Sequence, residues 1–494
     1  MLRKISKALF GKRSKAAKPN DKSAVATQHS KLPVQSPSGR ALLGDLDLGR
    51  ADIIEREDHC ISRRSISPNA LKVLYRLNDA GFHAFLVGGG VRDLLLRNTP
   101  KDFDISTNAT PEQIKQLFRN AMIIGRRFKI IHLRFGREII EVTTFRANHG
   151  ADGEPTQGSI KGLDSAHSSA GMILRDNVYG SINEDALRRD FTANALYYTT
   201  EGFRIIDFAN GLKDIENRLL RIIGDPATRY REDPVRLLRA IRFAAKLDFD
   251  IEKATRAPMN ELAPLLQSIS PARMFDETLK LLTSGSAEKS FALLRQFKIG
   301  EVLFPATMAC TKNADSPEAL LLTLAMRNTD RRLEEGKTVT PAFLYAAILW
   351  PPLQEALRHD KTTQGRLPTL GEQQDAANRV ILKQLSVTAI PKRFSIVSRE
   401  IWELQLRLEA RNRRAAETVY AHPRFRAAYD FLLLREEAGE ELDGLGQWWT
   451  DFQDADASLQ EEMLGELGKG SAAPKRRRRR KPQAKTSTQA GDDA

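Results

Sequence analysis

Apolar residues follow strand and helix periods in turn up to about residue 210, and mainly the helical one beyond it. From Pro68 to Asp79 they recur at helical spacing (Ala70, Val73, Leu74, Leu77), and Gly81 closes the predicted helix. Ala84-Phe85-Leu86-Val87 is a short apolar run entering a glycine cluster, which predicts a strand. Val91–Arg97 reads as a helix, Phe103–Ser106 as a strand and Pro111–Phe118 as a helix. Lys129–Phe135 and Glu138–Phe145 are β-rich and separated by Gly136, which predicts a hairpin. Farther on, Asp233-Pro234 and Ser270-Pro271 each pair an N-cap residue with a proline at the first helical position.

The flanks differ in kind. Residues 1 to about 55 are rich in Lys, Ser, Ala, Pro and Gln with little periodicity, so order is expected to begin near Ile61. Residues 150–170 read as a mobile loop rich in Gly, Ser and Asp, and order is expected to stop near Leu467. The net charge of +14 sits at the two ends: residues 1–18 carry seven Lys or Arg and no acid, while residues 19–474 total only about +1. The other end holds the unbroken run Lys475, Arg476, Arg477, Arg478, Arg479, Arg480, Lys481. Such a run repels itself and stays solvated; it suits a polyanion held by salt-sensitive phosphate contacts, so these residues are candidates for RNA binding.

No apolar run approaches the ~20 residues of a membrane helix, and the basic N-terminus lacks the apolar core of a secretory signal. Leu2, Ile5, Leu9 and Phe10 can line one side of a short helix, which would allow peripheral contact with an anionic membrane surface; otherwise the segment is a flexible basic arm. Cys60 and Cys310 form neither a disulfide framework nor a zinc pattern, so a reducing, cytoplasmic location is expected.

Candidate chemistry gathers in a short stretch. Asp102 and Asp104 flank Phe103, and residues i and i+2 of a strand share a face about 6.6–6.8 Å apart. Two carboxylates so placed can share the pair of divalent ions used in two-metal phosphoryl transfer. Just upstream, Gly88-Gly89-Gly90 lies between the predicted strand and helix, where a bare backbone can approach phosphates. Arg92 follows as a cation suited to a triphosphate, and Glu141 adds an acid that shares a strand face with Ile139 and Thr143.

These residues resemble the class II nucleotidyltransferase superfamily, which holds bacterial poly(A) polymerases and CCA-adding enzymes. Arg188-Arg189-Asp190-Phe191-Thr192-Ala193-Asn194-Ala195 is similar to its RRDFT-x-NA segment, and Asp207-Phe208-Ala209-Asn210-Gly211-Leu212-Lys213-Asp214 to its D-x3-G-x2-D turn. Glu232-Asp233-Pro234-Val235-Arg236-Leu237-Leu238-Arg239 is similar to its ED-x2-R-x2-R helix. Ile124-Gly125-Arg126-Arg127-Phe128 with His132, and His422-Pro423-Arg424-Phe425, resemble the poly(A) polymerases in particular.

The resemblance implies an α+β fold: a nucleotidyltransferase head with a small mixed sheet at residues 56–210, then an all-α neck (211–270) and RNA-binding body (271–467). Basic disordered ends would occupy residues 1–55 and 468–494. It implies that Asp102 and Asp104 bind Mg²⁺ (Mn²⁺ as an alternative), and that Asp190 is an essential acid. Gly88, Gly89, Arg92, Arg189, Asp233, Arg236 and Arg239 would contact the nucleotide, with Asp233 and Arg236 imitating a base-pairing edge. Whether Glu141 or Asp190 is the third active-site acid stays open. The implied activity is template-independent addition of AMP from ATP to RNA 3′ ends by a monomer, with RNA-decay proteins as further partners. The alternatives are a CCA-adding enzyme and a non-catalytic RNA-binding protein on the same fold.

Overall fold

The computed structural model describes residues 41–125, 129–147, 165–167, 173–176, 179–359, 368–410 and 412–467. Lys475–Lys481, the basic arm of residues 1–18, Arg126-Arg127-Phe128 and most of the 150–170 loop lie outside the described residues. The strands are β1 (Asp52–Ile54), β2 (Ala84–Val87), β3 (Asp104–Thr107), β4 (Ala121–Ile124), β5 (Ile130–Phe135) and β6 (Glu138–Thr144). They continue with β7 (Ser165–His167), β8 (Ile173–Asp176), β9 (Leu196–Tyr198), β10 (Ile205–Asp207), β11 (Leu219–Leu220) and β12 (Asp250–Ile251). Eight form one mixed sheet in the order β1-β10-β9-β2-β3-β6-β5-β4; β7-β8 and β11-β12 form small separate pairs.

Helices α1 (Pro68–Asp79), α2 (Gly89–Leu95) and α3 (Pro111–Leu117) alternate with the early strands, and α4 (Ile182–Leu187) precedes β9. Then come α5 (Gly211–Glu216), α6 (Pro226–Glu232) and α7 (Val235–Leu247). From Lys253 to Leu467 the described chain is helical, apart from its turns. No described helix is long and apolar enough to cross a membrane.

Alternation decides which side of the sheet each residue serves. Ala84, Leu86, Ile105, Ile140 and Val142 enter the main core with α1 and α3, and that core runs on through α7 into the helical part. Phe85, Val87, Phe145, Tyr197 and Ile206 face the other way and pack on Ile182 and Ala186 of α4. A further cluster, centred on Trp449, Phe425 and Leu432, lies toward the C-terminal end of the described chain. Arg435 sits beside it, buried at 3% exposure, paired with Glu409 and Glu440 and lying over the Trp350 ring.

Several boundaries differ from expectation. The helix predicted from Val91 starts at Gly89, because Gly88 (φ +70°) makes the turn that frees the next residue to enter it. It also ends earlier, at Leu95, and Arg97 takes φ +60°. The strand predicted from Phe103 starts at Asp104, so Asp102 lies in the segment just before β3 rather than within it. Residues 41–55, expected to lack order, carry β1, whose pairing partner β10 lies about 150 residues away and leaves no local signal. Asp233 does not cap α7: Pro234 holds that position, and the Asp233 side chain turns instead to Arg273. Ser270 does cap its helix, accepting from the Arg273 amide at 3.5 Å.

Two of the sequence motifs prove to be halves of one clamp. Asp207 accepts from the Ala209, Gly211 and Leu212 amides at 3.0, 2.9 and 2.9 Å, which folds the turn and opens α5. Asp214 on α5 then accepts from the Thr192 hydroxyl at 2.7 Å. Gly211 lets the Thr192 carbonyl come so close that a Cβ there would overlap it. The segment Arg188–Asn194 is thereby held against the sheet. Gly211→Ala should lower stability by about 1–3 kcal/mol, because backbone rather than a flexible side chain must give way. Thermal unfolding followed by circular dichroism checks this; an unchanged melting temperature would contradict it.

Candidate active site

The register of the sheet assembles the acidic centre. Parallel pairing of β3 with β6 sets Asp104 beside Glu141, and antiparallel pairing of β5 with β6 sets His132 beside Glu141. Val87, the last residue of β2, lies on the other side of Asp104. His132, Glu141, Asp104 and Val87 thus form one row across four strands. The His132 Nε2 stands 3.2 Å from a Glu141 oxygen. Asp102 precedes β3 but keeps the alternation: it is exposed, Phe103 is buried, Asp104 is half-buried and Ile105 is buried. Its carbonyl and Phe103 lie against Gly90 of α2.

Burial and the neighbouring charges of Glu141 and Asp102 push the Asp104 carboxyl up to about 6, against the pull of Arg189. Arg189 reaches this point across Gly88. A Cβ on Gly88 would stand 3.4 Å from the Arg189 Nη1 and 3.9 Å from the Asp104 Oδ2. Arg189 is itself aimed by partners: its Nε donates to the Tyr197 hydroxyl at 2.9 Å and its Nη2 to Asp185 at 3.3 Å. Asp185 also accepts from Ser106 and Tyr197, at 3.0 and 2.7 Å. Burial alone would raise the Asp185 carboxyl, but Arg189, Arg188 and these hydroxyls hold it below its ordinary value.

A second knot of charge lies where α7 meets the segment Arg188–Asn194. Asp190 accepts from the Arg239 Nε and Nη2 at 2.8 and 2.5 Å, from the Asn194 amide group at 3.1 Å and from the Phe191 amide at 2.8 Å. Despite burial, these donors, with Arg239 foremost, hold Asp190 well below the usual carboxylate range. Its oxygens are therefore engaged with Arg239 and its own loop, whereas Glu141 stands in the row with Asp104. Arg92 also differs from an open phosphate-binding cation. It is 3% exposed; it donates to Asp93 at 2.6 and 2.9 Å and to Asn194 at 2.6 Å. Gly89 leaves room for it, since a Cβ there would be 3.4 Å from the Arg92 Nη2. The guanidinium groups of Arg92, Arg239 and Arg242 surround the Phe243 ring at 5.2, 5.3 and 4.5 Å.

The third group lies at the junction of α6 and α7. Asp233 Oδ2 accepts from Arg273 at 2.9 Å, while its Oδ1 is buried with no hydrogen-bond partner. Arg236 donates through Nη1 to Glu232 and to the Arg229 carbonyl at 2.9 and 2.6 Å. A buried acceptor left open at a helix junction suits an incoming amino group. Asp185, Tyr197, Asn194, Arg229, Phe243 and Arg273 were not picked out from the sequence as site residues. Only Asn194 carried a signal, since it stands in the RRDFT-x-NA segment.

Among the described residues, no three His, Cys, Asp or Glu side chains converge as a ready-made metal cage. The oxygen-only donors Asp102, Asp104 and Glu141 still fit Mg²⁺, which keeps several waters and takes its remaining ligands from substrate phosphates.

Residues 84–221 match the poly A polymerase head domain, 248–310 a probable RNA and SrmB-binding site of polymerase A, and 366–483 the polymerase A arginine-rich C-terminus. Poly(A) polymerase I of Salmonella typhimurium is 48% identical over 432 residues, covering 87% of this chain and 91% of that protein. The chain belongs to the poly(A) polymerase family. The Haemophilus influenzae poly(A) polymerase I is 44% identical, with 89% of this chain and 96% of that protein covered. A CCA-adding enzyme of Streptococcus suis is 39% identical, but over only 43% of this chain and 49% of its own length. Among solved structures, a CCA-adding enzyme in its apo form II shares the fold, with a TM-score of 0.55 at 18% identity over 83% of this chain and 95% of that one.

The acidic row of this family member has a measurable cost. Between the ordinary carboxyl value of 3.8 and about 6, folded Asp104 holds its proton more tightly than the unfolded chain does. Its contribution to stability is therefore fully present below 3.8 and is lost as pH rises through 6. Asp104→Asn, which never ionises, should be about 1–3 kcal/mol more stable than wild type at pH 8 without divalent ions. The margin should close toward pH 4. Chelator-treated protein unfolded by denaturant across this range checks the sign, and a less stable variant at pH 8 would contradict it.

Proposed function

We propose that this chain adds AMP from ATP to RNA 3′ ends without a template. The observation that carries the reading is the Asp104 carboxylate, crowded by Asp102 and Glu141 and faced by Arg189 across the Gly88 turn. In this reading Asp102 and Asp104 hold Mg²⁺, with Mn²⁺ as a substitute, and Glu141 is the third acid. When bound, the ions would polarise the attacking 3′-oxygen and offset charge on the leaving pyrophosphate.

The chain's own groups do the rest. The 3′-hydroxyl of the RNA loses its proton to solvent as its oxygen attacks the α-phosphorus of ATP, the bond to the bridging oxygen of the β-phosphate breaks, and pyrophosphate leaves. Arg189, held by Tyr197 and Asp185, meets the phosphates beside Gly88. Asp190 orients Arg239 rather than binding metal, and Arg92 bridges Asp93 and Asn194 from within. Gly88 and Gly89 keep the turn free of side chains. The open Oδ1 of Asp233 accepts from the base amino group, while Arg236 supplies the complementary donor, so the pair reads a base edge. Acceleration then comes from positioning and fixed charge, with no covalent intermediate.

We assign residues 56–210 to the catalytic head, 211–270 to the neck that reads the base, and 271–467 to the RNA-binding body. Lys475–Lys481 would hold RNA phosphates. Action is in the cytoplasm, where tailing promotes RNA decay and RNA-decay proteins are partners.

Asp102→Ala combined with Asp104→Ala should abolish extension of a labelled RNA while leaving its binding within about threefold of wild type, because phosphate contacts carry that affinity. Gel-based extension and a filter-binding assay test the two halves. Extension by the double variant would overturn the reading.

A further inference from the structure

Arg229 lies at the middle of α6, and it touches both halves of the proposed site. Its Nη2 donates to the carbonyls of Arg188 and Arg189, each at 2.6 Å. Its Nη1 donates to a Glu232 carboxylate oxygen at 2.8 Å. The same Glu232 oxygen accepts from Arg236 at 2.9 Å, and Arg236 also donates to the Arg229 carbonyl at 2.6 Å. Arg229 is 8% exposed, so this guanidinium has little water to turn to. Burial and the nearby Arg236 pull it down to about 10, which leaves it charged at neutral pH.

We infer that Arg229 is a positioning residue that transmits the fit of the base at Asp233 and Arg236 to Arg189 beside Asp104. The inference rests on the reading of the site given above and adds to it a route by which base choice acts on the chemical step. The physical case is the shared oxygen. A base that draws Arg236 toward itself alters its grip on Glu232, and Glu232 is what the other half of Arg229 holds. Arg229 in turn fixes the backbone from which the Arg189 side chain departs. Displacement of a catalytic contact by about 1 Å can cost on the order of 10²-fold in rate. A linkage of this kind therefore lets a wrong base bind and still react slowly, with discrimination expressed in kcat as well as KM.

Arg229→Lys keeps the charge but cannot donate to two carbonyls and a carboxylate at once. Steady-state extension with ATP and with CTP on the same RNA reads the effect. For ATP, kcat should fall on the order of 10²-fold with KM changed less than about threefold, as expected when a contact made only in the transition state is lost. The kcat for CTP should fall much less, so the ATP/CTP ratio of kcat narrows while the ratio of KM is kept. Glu232→Gln, close in shape and neutral, should narrow the kcat ratio in the same way and serves if Arg229→Lys melts early.

Equal losses for both nucleotides in both variants would mean a structural role only and overturn the inference, as would unchanged kcat. Absence of extension by wild type, or wild-type indifference between ATP and CTP, would instead fault the reading of the site itself.

Discussion

Strand register sets the Asp104 carboxylate beside Glu141 and within reach of the Asp102 charge, and the folded protein must bury it there. Burial first, and then the charges of Glu141 and Asp102, push the Asp104 carboxyl up to about 6. Strand register keeps Glu141 beside it, and the packing of Phe103 and Gly90 keeps Asp102 near. The acidic pair with Arg189 beside it suits a site that receives cations and phosphates.

The surrounding arginines are placed by acids of their own. Asp185 aims Arg189, Asp190 holds Arg239, Asp93 holds Arg92, Asp233 meets Arg273, and Glu232 grips both Arg229 and Arg236. Each pair fixes a direction that a free arginine would lack. The pairs also join α7 to the segment Arg188–Asn194, so that this helix and the strands carrying Asp104 and Glu141 share one hydrogen-bond framework. The clamp of Asp207, Gly211 and Asp214 secures the segment from the opposite side.

Much of this was legible in the sequence, and what was not has physical reasons. The mixed α+β front and helical rear follow from apolar period, and the Asp104–Glu141 pairing agrees with the alternation around each residue. Asp102 lies just outside β3 because strand bounds depend on partners, which periodicity does not contain. β1 was invisible for the same reason: three residues with one distant partner leave no pattern. The arginines carry the least local signal of their partners. A cation in a motif looks available, yet Arg92 is buried and bound to Asp93 and Asn194, and nothing local announces a contact made about 100 residues away. Asp233 was read as a helix cap from its place before Pro234, whereas Arg273, on the helix Pro271–Leu282, draws its side chain elsewhere. That Arg239 engages Asp190 is likewise invisible in the sequence, because the two lie about 50 residues apart and meet only in the fold.

The proposal places adenylyl transfer at the Asp104 centre and leaves base choice to protein groups. The most direct measurement is extension of one 5′-labelled RNA by the purified wild-type chain, with Mg²⁺ and each of the four nucleoside triphosphates in separate reactions. A long ladder with ATP and little product with the others is the predicted result. Efficient use of CTP, with addition that stops after a few nucleotides, would contradict it.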